Sequence, residues 1–217
     1  LAPLKTLDTL PVREWISGSA EVVKAALLSG GDLWNQIEQR GPNLPLWPSD
    51  KLLDTIVATA RVKVDIVAQD EKETGRRRLL NLGHTFGHAL EAATGYRVFR
   101  HGEAIFLGMR AAMRLSEGHG MMAGDAAARI ERVLSQVPTP AADVNPEALL
   151  SALGHDKKIR SRSLHWVLLK EAGKPEVVSD LPHDLVRETA VWLCDAAGSG
   201  VGSDSPEIKL RMLVLNG

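Results

Sequence analysis

Three histidines lie close together near the middle of this sequence. His84 and His88 are four residues apart, and His101 follows within the next twenty residues. Residues four apart on a helix lie on one face, one turn above the other. Neutral imidazole is the commonest metal ligand, and a catalytic zinc site usually has three protein ligands and one open position. The spacing therefore indicates a metal site, although two histidines at this spacing can also be only the polar edge of a packed helix.

Glycines beside the histidines favour the metal site over that alternative. Gly83 and Gly87 each precede a histidine, and we expect both to lie inside the helix, where each costs about 0.5–1 kcal/mol relative to alanine. Because glycine has no side chain, we expect another group to approach the backbone of this helix closely. After a break at Gly95 and Tyr96, a second apolar-periodic run over 101–117 is expected to fold back antiparallel and bring in a third imidazole.

The composition is that of an ordinary soluble globular protein. The chain is 44% hydrophobic and 24% charged, with a net charge of −1 and a pI near 6.7, which gives no electrostatic case for binding nucleic acid or an anionic membrane. No apolar run is long enough for a membrane span, and no signal peptide is visible. The single cysteine, Cys194, excludes intrachain disulfides and a thiolate zinc cluster, so a metal must be held by nitrogen and oxygen. It also fits a cytoplasmic location.

Hydrophobic periodicity predicts a mainly α fold, a helical bundle with one small β-hairpin. Leu164–Leu169 and Pro175–Ser179 are predicted to form the two strands of the hairpin. The predicted helices cover 12–27, 32–39, 49–67, 102–120, 125–137, 146–154 and 184–196, and a further helix is predicted to carry His84 and His88.

The bundle is predicted to span residues 1–196, followed by a Gly- and Ser-rich flexible linker over 197–208. The last nine residues, KLRMLVLNG over 209–217, are typical of the first buried strand of an α/β domain, here truncated. The chain begins at Leu1 rather than at methionine, which suggests a fragment. No glycine-rich dinucleotide fingerprint occurs between a strand and a helix.

The central run LLNLGHTFGHALEAATGY, followed by HGEAIFLGM, closely resembles the C-terminal metal-binding domain of 3-dehydroquinate synthase. The stretch SGSAEVVKAALL resembles the G-x-A-E-V-I-K stretch of the same family. Alone, Glu21 and Lys24 would be read as a solvated helical ion pair. The resemblance instead implies that Glu21 joins His84 and His101 as a metal ligand and that Lys24 faces the substrate.

A second family pattern, K-x-x-V-V-x-x-D-E-x-E-x-G-x-R-x-x-L-N, covers the end of the third long helix and the residues that follow it. It implies that Lys63, Arg77 and Asn81 contact the sugar acid and that Glu73 is catalytic. The run Arg76-Arg77-Arg78 leaves open which guanidinium points inward. The spacing favours Arg77, because it lies four residues before Asn81 and thus on the same helical face.

The remaining implied site residues are His88 and one of two lysines. The resemblance implies that His88 binds substrate and is a catalytic acid/base together with Lys24, Lys63 and Glu73, and its unperturbed pKa suits that task. The family carries a D-K-K segment before its hairpin, so Lys157 or Lys158 is expected to reach the phosphate or carboxylate of the substrate. The spacing does not decide between them.

The resemblance implies cyclisation of 3-deoxy-arabino-heptulosonate 7-phosphate, a small sugar-acid phosphate, to 3-dehydroquinate with loss of phosphate, a step of the shikimate pathway. The implied cofactors are NAD, bound mainly by an N-terminal domain that is absent from this chain, and a divalent metal, zinc or cobalt. The implied assembly is a homodimer. Alone, the chain should bind metal weakly and catalyse nothing. The residues 209–217 resemble the opening strand of type II 3-dehydroquinate dehydratase, so we expect a fused, bifunctional parent protein.

Three other functions remain open on the sequence. The first is a different sugar-phosphate cyclase, of the inosose or valiolone synthase type, although Lys63, Arg77 and Asn81 favour the shikimate substrate. The second is a glycerol-dehydrogenase-like enzyme, which has no need of so many basic residues. The third is a non-catalytic helical interaction module.

Overall fold

A computed structural model describes residues 3–70, 75–160 and 164–200, with backbone only for 155–160. It confirms the prediction of a mainly α fold with one small hairpin. The described residues form eight α-helices, which are α1 (Val12–Ser29), α2 (Gly31–Arg40), α3 (Ser49–Gln69), α4 (His84–Ala93), α5 (His101–Gly118), α6 (Gly124–Leu134), α7 (Pro146–Arg160) and α8 (His183–Ser199). Short 3-10 helices span Leu4–Leu7, Leu44–Leu46 and Arg76–Asn81.

Helix α5 is the centre of the bundle, because apolar side chains on both of its flanks are buried. One flank joins a hydrophobic cluster with α1, α2 and α6, and the other joins a second cluster with α4, α7, α8 and the hairpin. The α5 residues in the first cluster are Ile105, Phe106, Met109, Ala112 and Met113. Those in the second are Ala104, Leu107, Ala111 and Leu115. Alternating use of the two flanks explains why apolar residues run almost continuously along this helix.

The hairpin consists of β1 (His165–Leu169) and β2 (Pro175–Ser179), antiparallel, with His165 opposite Ser179 and Leu169 opposite Pro175. Both strands fall where the sequence predicts them. A buried hydroxyl holds the hairpin to the bundle: the Leu169 amide donates a hydrogen bond to Ser116 Oγ on α5 at 3.0 Å, and Ser116 Oγ donates to the Ala112 carbonyl at 2.7 Å.

Helix α8 continues to Ser199, three residues into the segment predicted to be a linker. That part of the boundary prediction is wrong, because Ala197 is fully buried and extends the apolar face of the helix before Gly200 ends it with a positive φ. The rest of the predicted linker and the predicted strand over 209–217 lie outside the described residues. None of the described helices combines the length and apolar character that a membrane crossing requires.

Candidate metal centre

Glycines bring helices α4 and α5 into backbone contact at the end of the bundle that carries the histidines. A Cβ atom on Gly108 would lie 2.0 Å from the Gly83 carbonyl oxygen and 2.8 Å from the Gly87 nitrogen. Gly87 itself faces the backbone of Ala104, with its carbonyl oxygen 3.2 Å from a Cβ built on the glycine. The expected close approach is therefore that of another helix, and it sets the separation between the two elements that carry the imidazoles.

Gly83 is not inside the helix, and that prediction is wrong. It has a φ of 79°, in the left-handed region, and immediately precedes the first residue of α4. Glycine adopts this conformation without the penalty that a side chain imposes. The chain therefore turns sharply at Gly83, and His84 becomes the first residue of a new helix.

The three imidazoles converge as predicted from their spacing. His84, His88 and His101 each offer a ring nitrogen, and these atoms all lie within 4.8 Å of one another. The ring centroids are 5.3 Å apart for His84 and His88, 5.4 Å for His84 and His101, and 5.7 Å for His88 and His101. His101 reaches the other two because it is the first residue of α5, just after the loop that reverses the chain.

Hydrogen bonds at Nδ1 orient two of the rings. His84 Nδ1 lies 3.1 Å from the Leu82 carbonyl oxygen, and His101 Nδ1 lies 3.3 Å from both carboxylate oxygens of Glu91. These acceptors cannot donate, so each bond is made by the tautomer that carries its proton on Nδ1. In a neutral ring with its proton on Nδ1, Nε2 keeps its lone pair and can bind a metal.

Glu21 adds an oxygen donor from α1. Its Oε1 lies 3.9 Å from His84 Nε2 and accepts a hydrogen bond of 2.8 Å from Lys24 Nζ. Lys24 is 4% exposed, so its ammonium is buried beside this carboxylate. The structure thus brings Glu21 and Lys24 to the histidine cluster, from a helix more than sixty residues earlier in the sequence.

Two contacts lock α1 against the start of α5. A Cβ on Gly102 would lie 2.3 Å from the Ser17 Cα atom, and the Gly102 amide donates a hydrogen bond of 3.0 Å to Ser17 Oγ. Beside it, the Arg13 guanidinium binds both carboxylate oxygens of Glu103, which is 1% exposed. Forked pairing of this kind fixes orientation as well as distance. It sets the position of Glu21 relative to His101.

Burial and nearby charges keep the site in a protonation state suited to a cation. Burial, reinforced by the positive charge of Lys24, lowers the pKa of His84 to about 4, so this imidazole is neutral near pH 7. Burial alone would raise the pKa of Glu21, but the hydrogen bond and charge of Lys24, with the charges of His84 and Lys63, bring it below its usual value. Burial lowers the pKa of Lys24 despite its bond to Glu21. The charge of Lys63 makes a smaller contribution, lowering the pKa of both Glu21 and Lys24.

This donor set fits a divalent transition metal. Neutral imidazole nitrogens and a carboxylate are ligands that zinc and cobalt accept; here three ring nitrogens lie within 4.8 Å of one another and the Glu21 carboxylate lies 3.9 Å from one of them. The described thiol does not compete, because burial raises the pKa of Cys194 to about 11. The residues that could hold the metal are Glu21, His84, His88 and His101.

The predicted substrate residues Arg77 and Asn81 lie on the Arg76–Asn81 segment, which packs against α1 and α3. This segment is a 3-10 helix with three residues per turn, so residues four apart do not share a face and that part of the spacing argument is wrong. Asp70 sets the segment's start, because its Oδ2 accepts hydrogen bonds from the amides of Gly75 at 2.7 Å and Arg77 at 2.9 Å. The sharp turn at Gly83 then prevents continuation into α4.

The neighbours of Arg77 are engaged elsewhere. Arg76 donates to Gln69 Oε1 at 2.6 Å on the exposed surface, and Arg78 Nη1 lies 3.1 Å from His165 Nε2 on the hairpin. Arg77 is half-buried between them.

Comparison of the sequence with known protein families identifies the family to which this chain belongs. The family model of the 3-dehydroquinate synthase C-terminal domain matches residues 18–159, more than half of the chain. The chain belongs to the 3-dehydroquinate synthase family.

The 3-dehydroquinate synthases of Psychrobacter arcticus and Dichelobacter nodosus are 38% and 41% identical to this chain over 190 and 195 residues, which are 87% and 88% of the chain. The matches cover only 49% and 52% of those two proteins, so the chain spans about half the length of the curated relatives it matches.

Solved structures share the fold. A 2-deoxy-scyllo-inosose synthase complexed with carbaglucose-6-phosphate, NAD+ and Co2+ superposes with a TM-score of 0.74 at 23% identity, covering 87% of this chain and 54% of that one. A 2-epi-5-epi-valiolone synthase from Streptomyces hygroscopicus with NAD+ and Zn2+ bound gives the same TM-score and identity, covering 88% and 54%. This similarity extends to the helical bundle and its hairpin.

Some residues expected from the family pattern fall outside what the structure describes. Glu73 lies in the gap between 70 and 75, and Lys157 and Lys158 lie in α7 with side chains outside the described part. Their roles stay predictions.

Sequence reasoning missed Glu91, Arg13 and Glu103. Glu91 could have been found, because it lies three residues after His88 and seven after His84, on one face of a helix. The pairing of Arg13 with Glu103 gave no local signal, because the two residues are far apart in the sequence.

Proposed function

We propose that this chain is the metal- and substrate-binding half of a 3-dehydroquinate synthase. The reaction is the NAD- and metal-dependent cyclisation of 3-deoxy-arabino-heptulosonate 7-phosphate to 3-dehydroquinate with loss of phosphate, a carbon–oxygen lyase reaction. The observation that carries the proposal is the convergence of the His84, His88 and His101 imidazoles from two helices, with the Glu21 carboxylate 3.9 Å from His84 Nε2 and hydrogen-bonded to the buried ammonium of Lys24. Such a site suits an anionic substrate bound through a metal.

The metal ligands in this proposal are Glu21, His84 and His101. When bound, a divalent ion lowers the pKa of an oxygen that it contacts and stabilises the negative charge that develops there. Glu21 would hold the ion through the carboxylate that here accepts a hydrogen bond from Lys24, and the Lys24 ammonium would face a substrate bound there. His88 has an exposed ring within the same cluster and is the acid/base that exchanges a proton with the substrate.

The cationic groups around the metal ligands bind the carboxylate and phosphate of the substrate. Three features support this assignment: Lys24 is buried beside Glu21, the charge of Lys63 acts on Glu21, and Arg77 is half-buried while Arg76 and Arg78 bind other groups. A forked guanidinium and mobile ammonium groups are suited to these anions. Asn81, Lys157 or Lys158, and Glu73 complete the proposed site.

The proposal also covers the dinucleotide cofactor, the assembly and the location of the protein. NAD, which accepts and returns two electrons in the implied reaction, is assigned mainly to an N-terminal domain, since the relatives are about twice as long as the matched region. We also propose a cytoplasmic homodimer. A fused type II dehydratase is supported only by the likeness of residues 209–217 to its first strand.

The other candidate is a cyclase of the inosose or valiolone synthase type, which the shared fold favours. The sequence identities favour 3-dehydroquinate synthase. The 3-dehydroquinate synthases are 34–41% identical to this chain, whereas the solved cyclases are 23% identical.

The test is phosphate release by the full-length protein, assayed with 3-deoxy-arabino-heptulosonate 7-phosphate or with glucose 6-phosphate, with and without NAD, and before and after metal removal. We expect release only from the seven-carbon substrate, and only with both NAD and metal. Phosphate release from glucose 6-phosphate alone would instead support the other cyclase type, and absence of stoichiometric metal would support a non-catalytic module.

Three variants test the ligand assignment. Glu21→Gln and His84→Ala should lose stoichiometric metal and, with it, activity. His88→Ala should keep the metal and lose activity by about 100-fold or more, as expected for removal of an acid/base. The control is His119→Ala, an exposed imidazole at the far end of α5. If His88→Ala loses the metal and Glu21→Gln keeps it, the ligands are His84, His88 and His101, and Glu21 is not one of them.

A further inference from the structure

Glu91 is a buried carboxylate whose position folding alone does not explain. Only 8% of the residue is exposed, and it lies in the last turn and a half of α4, which ends at Ala93. Burial disfavours a charged carboxylate, and so does the partial negative charge at the C-terminal end of a helix. Both effects would favour an apolar residue at this position.

The carboxylate of Glu91 is directed at a single described partner. Both of its oxygens lie 3.3 Å from His101 Nδ1, while the hydrogen bonds that end the helix, from the Tyr96 amide and the Thr94 hydroxyl, go to the Glu91 backbone carbonyl. Replacing the side chain would leave those two bonds intact. The side chain therefore serves His101 and not the helix end.

His101 needs such a partner more than His84 does. The His84 side chain is 16% exposed and receives its orientation from a backbone carbonyl, whereas the His101 side chain is 47% exposed and stands at the start of its helix. Few packing contacts restrict a half-exposed ring. A hydrogen bond at Nδ1 fixes both the rotation of the ring and the nitrogen that carries the proton.

We propose that Glu91 is the positioning residue of the metal centre, holding His101 with Nε2 directed into the cluster. The inference rests on the proposed metal centre and deepens it. On this assignment one face of α4 supplies His84, His88 and the carboxylate that orients His101 across the interface with α5. The negative charge of Glu91 also adds to that of Glu21 in offsetting a divalent cation.

The test is Co2+ binding to the full-length protein, measured by visible absorption and by competition with a chelator. Glu91→Leu removes both the acceptor and the charge, and Glu91→Gln keeps an acceptor oxygen. We expect about 10- to 100-fold weaker Co2+ binding for Glu91→Leu, a smaller loss for Glu91→Gln, and an altered Co2+ spectrum for both. The matched control is Glu117→Gln, which removes an exposed carboxylate from the other end of α5.

Thermal unfolding of the metal-free protein separates positioning from structural support. Without metal, Glu91→Leu should unfold at the same temperature as the wild type or higher, because it removes a buried charge. Lower metal-free stability together with unchanged Co2+ affinity would overturn the proposal, as would affinities within twofold of the wild type in both variants. If the wild type and His84→Ala bind Co2+ alike, the metal centre itself is refuted. If His84→Ala loses Co2+ binding while the Glu91 variants bind like the wild type, only the role of Glu91 is refuted.

Discussion

Replacing Gly108 with alanine tests whether the contact between α4 and α5 sets the geometry of the metal centre. The added Cβ would lie 2.0 Å from the Gly83 carbonyl oxygen and 2.8 Å from the Gly87 nitrogen. A carbon atom and a carbonyl oxygen ordinarily approach to about 3.3 Å, so the helices must separate by about 1 Å. Both atoms belong to the backbone and cannot rotate away.

The cost follows from two opposing effects. Overpacking costs about 1–3 kcal/mol, and the upper part of this range applies to a backbone clash. The better helix propensity of alanine returns about 1 kcal/mol. We therefore expect Gly108→Ala to lower the free energy of unfolding by about 2 kcal/mol. Because His84 follows Gly83, the same displacement should weaken metal binding about 10-fold or more.

The assays are urea unfolding of the metal-free protein and Co2+ titration, with Gly18→Ala as the matched control. A Cβ on Gly18, inside α1, meets no atom within 4 Å. That substitution should raise the free energy of unfolding by about 0.5–1 kcal/mol and leave metal binding unchanged. If Gly108→Ala is as stable as Gly18→Ala and binds Co2+ like the wild type, the close contact does not determine the site.

Two further predictions concern stability. In the metal-free protein, the native pKa of His84 is about 4 and the unfolded value is 6.5, so the unfolded state binds more protons; the resulting stabilisation is present above pH 6.5 and lost as pH falls towards 4. Between pH 7 and pH 5 the loss amounts to about 2 kcal/mol in the free energy of unfolding. His84→Asn should reduce the pH dependence of this free energy by that amount, whereas His119→Asn, at an exposed histidine, should not. An equal pH dependence in the wild type and both variants would contradict this prediction. Ser116→Ala should lower the free energy of unfolding by about 1–3 kcal/mol, since it leaves the buried Leu169 amide without its acceptor. The control Ser135→Ala, at a half-buried serine after α6, should change urea unfolding little, and equal effects of the two substitutions would contradict this reasoning.

Regular periodicity made most of the fold predictable. The long apolar stripes of α1, α3 and α5 and the short runs of β1 and β2 lie where the sequence places them, because burial of one face or two imposes a repeat. The errors concern backbone conformations that depend on contacts across the bundle. Gly83 was expected inside a helix because nothing local shows that the α5 backbone occupies the space beside it.

The candidate site was predictable to the extent that its residues are local. His84 and His88 follow from helical spacing, and His101 from a chain reversal at Gly95 and Tyr96. Glu21 is different, because an acidic residue three before a lysine is common on exposed helices and only the family resemblance marked it. The contacts between α1 and α5, Arg13 with Glu103 and Ser17 with Gly102, join residues remote in sequence, so no local sequence pattern predicts them.

Helix α5 is buried on both flanks, and its first residue is a proposed metal ligand. A helix that belongs to two hydrophobic clusters cannot unfold locally without exposing both clusters to solvent. Its amide hydrogens should therefore exchange with solvent only when the whole domain unfolds. Ligand-linked motion at this site is then confined to rigid-body displacement of neighbouring parts, because the helix that carries His101 has no locally unfolded state of low free energy to use as a hinge.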